Sequence, residues 1–150
     1  MTDIVLATIN ARYVHASLGL RYLRANMGEL RDRTRIVEFV LGARPLDMVE
    51  QLLALKPRIV GFGVYIWNVE ETARVVAQLK RVAPEVAIVV GGPEVSHEID
   101  EQRVCAAADY TVTGWGDVTF PKLASALLGG ERPPGRVLPG VQPPLETIAL

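Results

Sequence analysis

Runs of consecutive apolar residues alternate along this chain with stretches in which apolar residues recur every three or four positions. Ile4-Val5-Leu6-Ala7-Thr8 is the first run, followed by a polar loop from Ile9 to Val14. Leu18, Tyr22, Leu23 and Met27 then repeat at helical spacing and predict a helix from about Ala16 to Leu30, with Ser17 as a candidate cap. Thr34 to Val40 reads as a second strand. Pro45 opens a helix at a position where its missing N–H costs nothing, with Leu46, Val49, Leu52 and Leu53 as the apolar stripe and Lys56-Pro57 as the stop. Arg58 to Val64 is the third strand. Asn68, with Glu71 three residues on, has the register of a capping box for a helix to Val82, which Pro84 breaks. Val86 to Val90 is the fourth strand, Asp100 to Ala107 a helix, Tyr110 to Thr113 the fifth strand and Thr119 to Leu128 the last helix.

Strands that are apolar on both faces, set between amphipathic helices, predict an α/β fold with a parallel sheet covered on both sides. Right-handed crossovers make it a three-layer, doubly wound sheet. About five strands favour the flavodoxin-like order 2-1-3-4-5. Beyond Leu128, Pro133, Pro134, Pro139, Pro143 and Pro144 fall among few core residues. The expectation is one domain over residues 1–130 and, over 131–150, an extended tail or interdomain linker and not a structural element.

Composition narrows the classes. The 150 residues are 49% hydrophobic, enough for a core without disulfides or metals, and a net charge of −1 points to neither nucleic acid nor an anionic membrane. The one cysteine, Cys105, reads as a small buried hydrophobe. No signal-like segment or membrane-length apolar run is legible, so a cytoplasmic protein is the expectation.

Ligands of open α/β sheets bind beyond the carboxyl ends of the strands. Four loops fall there: Asn10 to Gly19, Gly63 to Asn68, Gly91-Gly92-Pro93-Glu94 and Gly114-Trp115-Gly116-Asp117. Glycine lets a ligand approach the backbone closely, but it is also ordinary turn punctuation. Trp67 and Trp115 suit packing as well as binding, and His15 suits a helix start as well as a metal. No G-x-G-x-x-G follows the first strand, no Walker loop is present, and Val64-Tyr65 stands where a phosphoacceptor domain needs aspartate. No zinc spacing and no nucleophile–base pair is legible. By itself the chain reads as a binding module and not a catalyst.

The segments from Asn10 through Arg12-Tyr13-Val14-His15-Ala16-Ser17 to Leu23, from Val60 to Asn68, from Val90 to Ser96, and Thr113-Gly114-x-Gly116-Asp117 resemble the N-terminal cobalamin-binding domain of cobalamin-dependent radical S-adenosylmethionine enzymes. The resemblance implies that cobalamin is the cofactor. A [4Fe–4S] cluster and S-adenosylmethionine would belong to a C-terminal radical barrel absent from this chain, as one cysteine cannot supply three thiolates. The full enzyme would be of the methyltransferase kind. Gly63 and Val64, with Gly91 and Gly92, would line a slot for the nucleotide tail, and Pro93 and Glu94 of the same loop would be further cofactor-binding residues. Gly114 and Gly116 would offer N–H groups to its phosphate or ribose. Tyr13, Tyr65, Trp67 and Trp115 would lie at the corrin, with Asn10, Arg12 and Ser17 as polar contacts. His15 would be the candidate lower ligand of cobalt. The D-x-H-x-x-G pattern is not kept around it, because Tyr13 stands in the aspartate's place and Gly19 lies one residue too far on. Gly92→Val is expected to abolish binding and leave the fold intact. A module for another ligand, a flavin or a nucleotide, and a non-catalytic interaction domain are the alternatives.

Overall fold

The computed structural model describes residues 2–10, 18–65, 67–92, 103–113 and 116–139. Six parallel strands form one sheet in the order β2-β1-β3-β4-β5-β6, namely β1 (Ile4–Asn10), β2 (Thr34–Val40), β3 (Ile59–Gly63), β4 (Ala87–Gly91), β5 (Tyr110–Thr113) and β6 (Val137–Pro139). The helices are α1 (Leu18–Ala25), α2 (Pro45–Ala54), α3 (Val69–Val82), α4 (Arg103–Ala107) and α5 (Gly116–Leu128). The flavodoxin-like order 2-1-3-4-5 is present, extended by one strand.

Side chains alternate between two cores. Val5, Ala7, Ile9, Val60, Phe62, Val64, Ile88 and Val90 pack with α2, α3 and α4. Ile4, Leu6, Ile59, Ala87, Val89, Tyr110 and Val112 face α1 and α5. This two-sided burial is why the strands read as unbroken apolar runs. Cys105 is buried, as its neighbours suggest.

The expected first helix is the largest departure in length. It stops at Ala25, where the Asn26 side chain donates back to Tyr22 O at 2.8 Å, and Gly28 takes a positive φ of 59°. A 3-10 turn, Gly28–Arg33, replaces its predicted end and buries Leu30. In α2, Met48, Val49 and Leu52 form the buried face, while Leu46 is 54% exposed. Two residues before Met48, Leu46 lies nearly opposite it at about 100° per residue. α5 begins three residues before Thr119 and carries Pro121 in its second turn. Residues 100–102 of the expected fourth helix, and Ser17, lie outside the described residues.

β6 comes from the Pro-rich stretch expected to hold no structural element. Thr111, Val112 and Thr113 of β5 pair with Val137, Leu138 and Pro139. A proline is tolerated at the end of a strand on the sheet's edge. The strand is fixed by contacts that local patterns do not announce. Tyr110 Oη donates to Pro133 O at 3.0 Å, and Thr119 Oγ1 to Pro139 O at 3.1 Å. Arg136 Nη2 donates to Cys105 O, Ala106 O and Ala108 O at 3.2, 2.7 and 2.7 Å, so one guanidinium gathers three carbonyls at and just past the end of α4. Arg136→Ala should destabilise the domain by about 1.5–3 kcal/mol, the range for hydrogen bonds to a charged group. The measurement is a thermal melt, paired with faster amide exchange at Thr111, whose N–H donates to Arg136 O at 2.7 Å.

Candidate cofactor site

The parallel register sets two rows of residues across the carboxyl half of the sheet, on the α1/α5 face. One row is Thr8, Gly63, Gly91 and Val112. The row beneath it is Leu6, Gly61, Val89 and Tyr110. Three of these eight positions are glycine, and all three lie in the central strands β3 and β4. Phe120 of α5 packs over Gly61, and where the side chains of Gly63 and Gly91 are missing the helices leave a gap, so that a cavity of about 240 Å³ remains. Its lining comes from Leu6, Gly19, Leu20, Leu23, Gly61, Gly63, Tyr65, Val89, Gly91, Gly92, Val112 and Phe120, with main chain at Phe62 and Val90. It opens at the carboxyl edge beside β1 and β3, where the order of strands reverses.

The glycines differ in what they permit. A Cβ on Gly63 would meet Tyr65 Cε2, Leu20 Cδ2 and Thr8 Oγ1 at 3.5–3.6 Å, ordinary contact distances along the cavity wall. A Cβ on Gly61 would press on the Phe120 ring at 3.1 Å and Leu6 Cδ2 at 3.2 Å, at the cavity's deep end. Gly92 has a φ of 118°, and a Cβ there would stand 2.5 Å from Val64 O. This corrects the expectation for Gly92→Val: the clash is with main chain, so the substitution strains the β3–β4 edge. It should lower the melting temperature by several degrees and is a test of the fold, not of the slot.

Beyond β3, Tyr65 and Trp67 form a platform. Their rings are parallel within 1° with centroids 4.7 Å apart. Trp67 is 46% exposed and its indole N–H donates to Ile9 O at 3.3 Å. Asn68 holds this turn. It sits at the N-cap position of α3 but makes no capping bond with its side chain, contrary to the capping-box expectation. Fully buried, it accepts from Tyr65 N at 2.8 Å through Oδ1. Its Nδ2 donates to Ile9 O at 2.9 Å and reaches Thr8 Oγ1 and Gly63 O at 3.3 Å. One amide therefore ties the ends of β1 and β3 to the aromatic platform. Sequence reading missed this role because capping is judged from local spacing, and these partners are up to 60 residues away.

The other expected residues are distributed unevenly. Gly63, Gly91, Gly92 and Tyr65 line the cavity. Val64 turns its side chain into the opposite core, and its N–H donates to Gly91 O at 2.7 Å. Asn10 ends β1 at the same edge, with Nδ2 3.5 Å from Glu38 Oε1. That carboxylate also binds Arg21 at 3.0 Å, and its hydrogen bond, with a smaller Coulombic contribution, pushes the guanidinium further up from its already high pKa. Gly116 opens α5, where main-chain N–H groups lack helical acceptors. Arg12, Tyr13, His15, Ser17, Pro93, Glu94, Gly114 and Trp115 lie outside the described residues. Among the described residues, no group of histidine, cysteine and acidic side chains has metal-binding proximity, and no helix is long and apolar enough to cross a membrane.

Comparison with known proteins gives the site a family. No curated protein matches the sequence. A novel cobalamin-binding protein from Desulfitobacterium hafniense DCB-2 superposes with a TM-score of 0.61 at 21% identity, over 83% of this chain and 57% of its own. The radical S-adenosylmethionine methyltransferase TsrM from Kitasatospora setae, solved with cobalamin and a [4Fe–4S] cluster bound, gives 0.66 at 20% identity, over 91% of this chain and 26% of that one. A CheY-like protein, TadZ of Pseudomonas aeruginosa PAO1, gives 0.62 at 17% identity over 90% and 99% of the two chains. At these identities the superpositions establish the flavodoxin-like fold alone. The chain spans little more than half of the first of these proteins and about a quarter of the second. The sequence itself matches the B12 binding domain family over residues 4–124. That stretch carries every element lining the cavity, from β1 to α5, and the chain belongs to the B12 binding domain family.

Proposed function

We propose that this domain binds cobalamin at the carboxyl edge of its sheet, with the nucleotide tail in the cavity between the sheet and α1/α5. The observation that carries the reading is the glycine row. Gly63 and Gly91 leave room where side chains would otherwise fill the mouth, so a slender group can enter beside β3 and β4. The wall fits such a group: it is mostly apolar and backed by buried leucine and valine.

The chain's own residues would divide the work. Tyr65 and Trp67 present a flat, partly exposed aromatic surface to the corrin edge. The first turn of α5, beginning at Gly116, supplies N–H groups and the positive end of the helix dipole to the tail's phosphate. His15, with Arg12, Tyr13 and Ser17, is proposed for the lower face of the corrin. Gly114, Trp115, Pro93 and Glu94 are proposed for the rim. Bound cobalamin supplies organometallic chemistry at cobalt, and the protein's part is to hold and orient it. We further propose that the domain serves a larger radical S-adenosylmethionine enzyme of the methyltransferase kind, whose cluster and S-adenosylmethionine would sit outside these 150 residues.

The test is direct. The protein is mixed with hydroxocobalamin, desalted, and its visible spectrum recorded. Corrin absorbance should remain with the protein in near-stoichiometric amount. A colourless protein fraction, or a yellow flavin spectrum in protein as purified, counts against the reading.

A further inference from the structure

We infer that the cavity discriminates among cobamides by the base at the end of the tail, admitting an apolar benzimidazole and disfavouring a purine such as adenine. The inference rests on the cobalamin reading above and deepens it. In the proposed pose the terminal base would be the part of the tail that reaches furthest in, and the deep end of the cavity is built from Leu6, Val89 and Phe120, all buried. Among the described residues, the only polar side-chain atom in the lining is the Tyr65 hydroxyl. It stands at the mouth, 3.3 Å from where a Cβ on Gly19 would lie.

The main chain along the cavity is already engaged. Gly63 O receives Thr8 Oγ1 at 3.1 Å and Asn68 Nδ2 at 3.3 Å, and Gly91 O receives Val64 N at 2.7 Å. The Thr8 hydroxyl, 3.6 Å from where a Cβ on Gly63 would lie, is already engaged in that bond. Dimethylbenzimidazole brings methyl groups and a hydrocarbon edge to this lining. Adenine brings an exocyclic amine and ring nitrogens that must leave water without new partners. Both bases are fused bicycles of similar size, so polarity and not volume makes the difference. A deep wall on which the described residues place no polar side-chain atom gains nothing from the amine and forfeits its hydration.

The experiment measures dissociation constants for two cobamides that differ only in the base, the dimethylbenzimidazolyl and adeninyl forms, by equilibrium dialysis read from corrin absorbance. Adeninylcobamide is expected to bind at least about tenfold more weakly. Equal dissociation constants overturn the inference and leave the cobalamin reading standing. Retention of neither cobamide overturns both. Val89→Thr, which adds a hydroxyl to the deep wall at nearly constant volume, should narrow the ratio. Leu23→Asn, on α1 at the other wall, serves the same purpose if the first variant folds poorly. A ratio unchanged in a folded variant of this kind shows that the apolar wall is not what discriminates, and overturns the inference.

Discussion

Gly63→Val is expected to give a folded domain that no longer retains cobalamin. Position 63 ends β3 in an extended conformation, and a Cβ there meets its neighbours only at 3.5–3.6 Å. Valine suits a strand, so the sheet should tolerate it. Its methyl groups, however, project into the cavity between Leu20, Tyr65 and Thr8, where the tail would enter. The expected result is a melting temperature within a few degrees of the parent and at least about a tenfold loss of corrin retained after desalting. Gly63→Ala should fall between the two. If Gly63→Val holds cobalamin as the parent does, the tail lies elsewhere. The contrast with Gly92→Val separates the slot from the fold, because only the latter forces a Cβ against main chain, at 2.5 Å.

The second large effect is expected at Asn68. Removing its side chain in Asn68→Ala leaves Tyr65 N without its 2.8 Å acceptor and leaves Ile9 O to the longer bond from Trp67. Each buried group stranded in this way costs about 1–3 kcal/mol, so the variant should lose roughly 3 kcal/mol. A loss of that size is readable in a denaturant melt. The platform should loosen with it, giving altered Trp67 fluorescence and weaker corrin retention. Asn68→Asp separates the acceptor from the donor. It keeps an oxygen for Tyr65 N but replaces the donor with a second oxygen facing Ile9 O and Gly63 O. Burial and those carbonyls favour the protonated acid in the folded state, which lifts its pKa above that of the unfolded chain. The stability of Asn68→Asp is then highest in acid and falls as pH rises above about 4, where the unfolded chain gives up its proton first, opposite to a carboxylate stabilised by a cation. A flat or rising profile would show that the amide donor is not what holds the turn.

Much of this fold is legible in the chain because its driving pattern is local. Thr34–Val40 and Tyr110–Thr113 read as strands with the bounds they have, the first from the alternation of Ile36, Glu38 and Val40 with Val37 and Phe39, the second from a short β-branched and aromatic run. Pro45 marks the first residue of α2 for an equally local reason. The misreadings share a cause. β6 needs β5, α4 and α5 as partners, and nothing within Val137-Leu138-Pro139 announces them. The signal at Tyr22-Leu23-Met27 continues past the point where Asn26 and Gly28 turn the chain, because both the helix and the 3-10 turn bury the same side of the segment. The site was partly visible. Gly61, Gly63 and Gly91 stand at alternate positions of two strands, and period-two counting puts them on one face. Counting alone does not reveal that the strands are neighbours in matching register, which is what joins separate gaps into one cavity.

The sixth strand also bears on what lies beyond it. β6 runs parallel to β5, so Pro139 emerges beside Thr113, on the same side of the sheet as the mouth of the cavity. Arg136, Tyr110 and Thr119 fasten the strand, which makes its end a fixed post and not the root of a freely swinging tether. The chain is therefore held along the sheet's edge as far as residue 139, and it is there, at the rim, and not at the end of α5, that it leaves the fold.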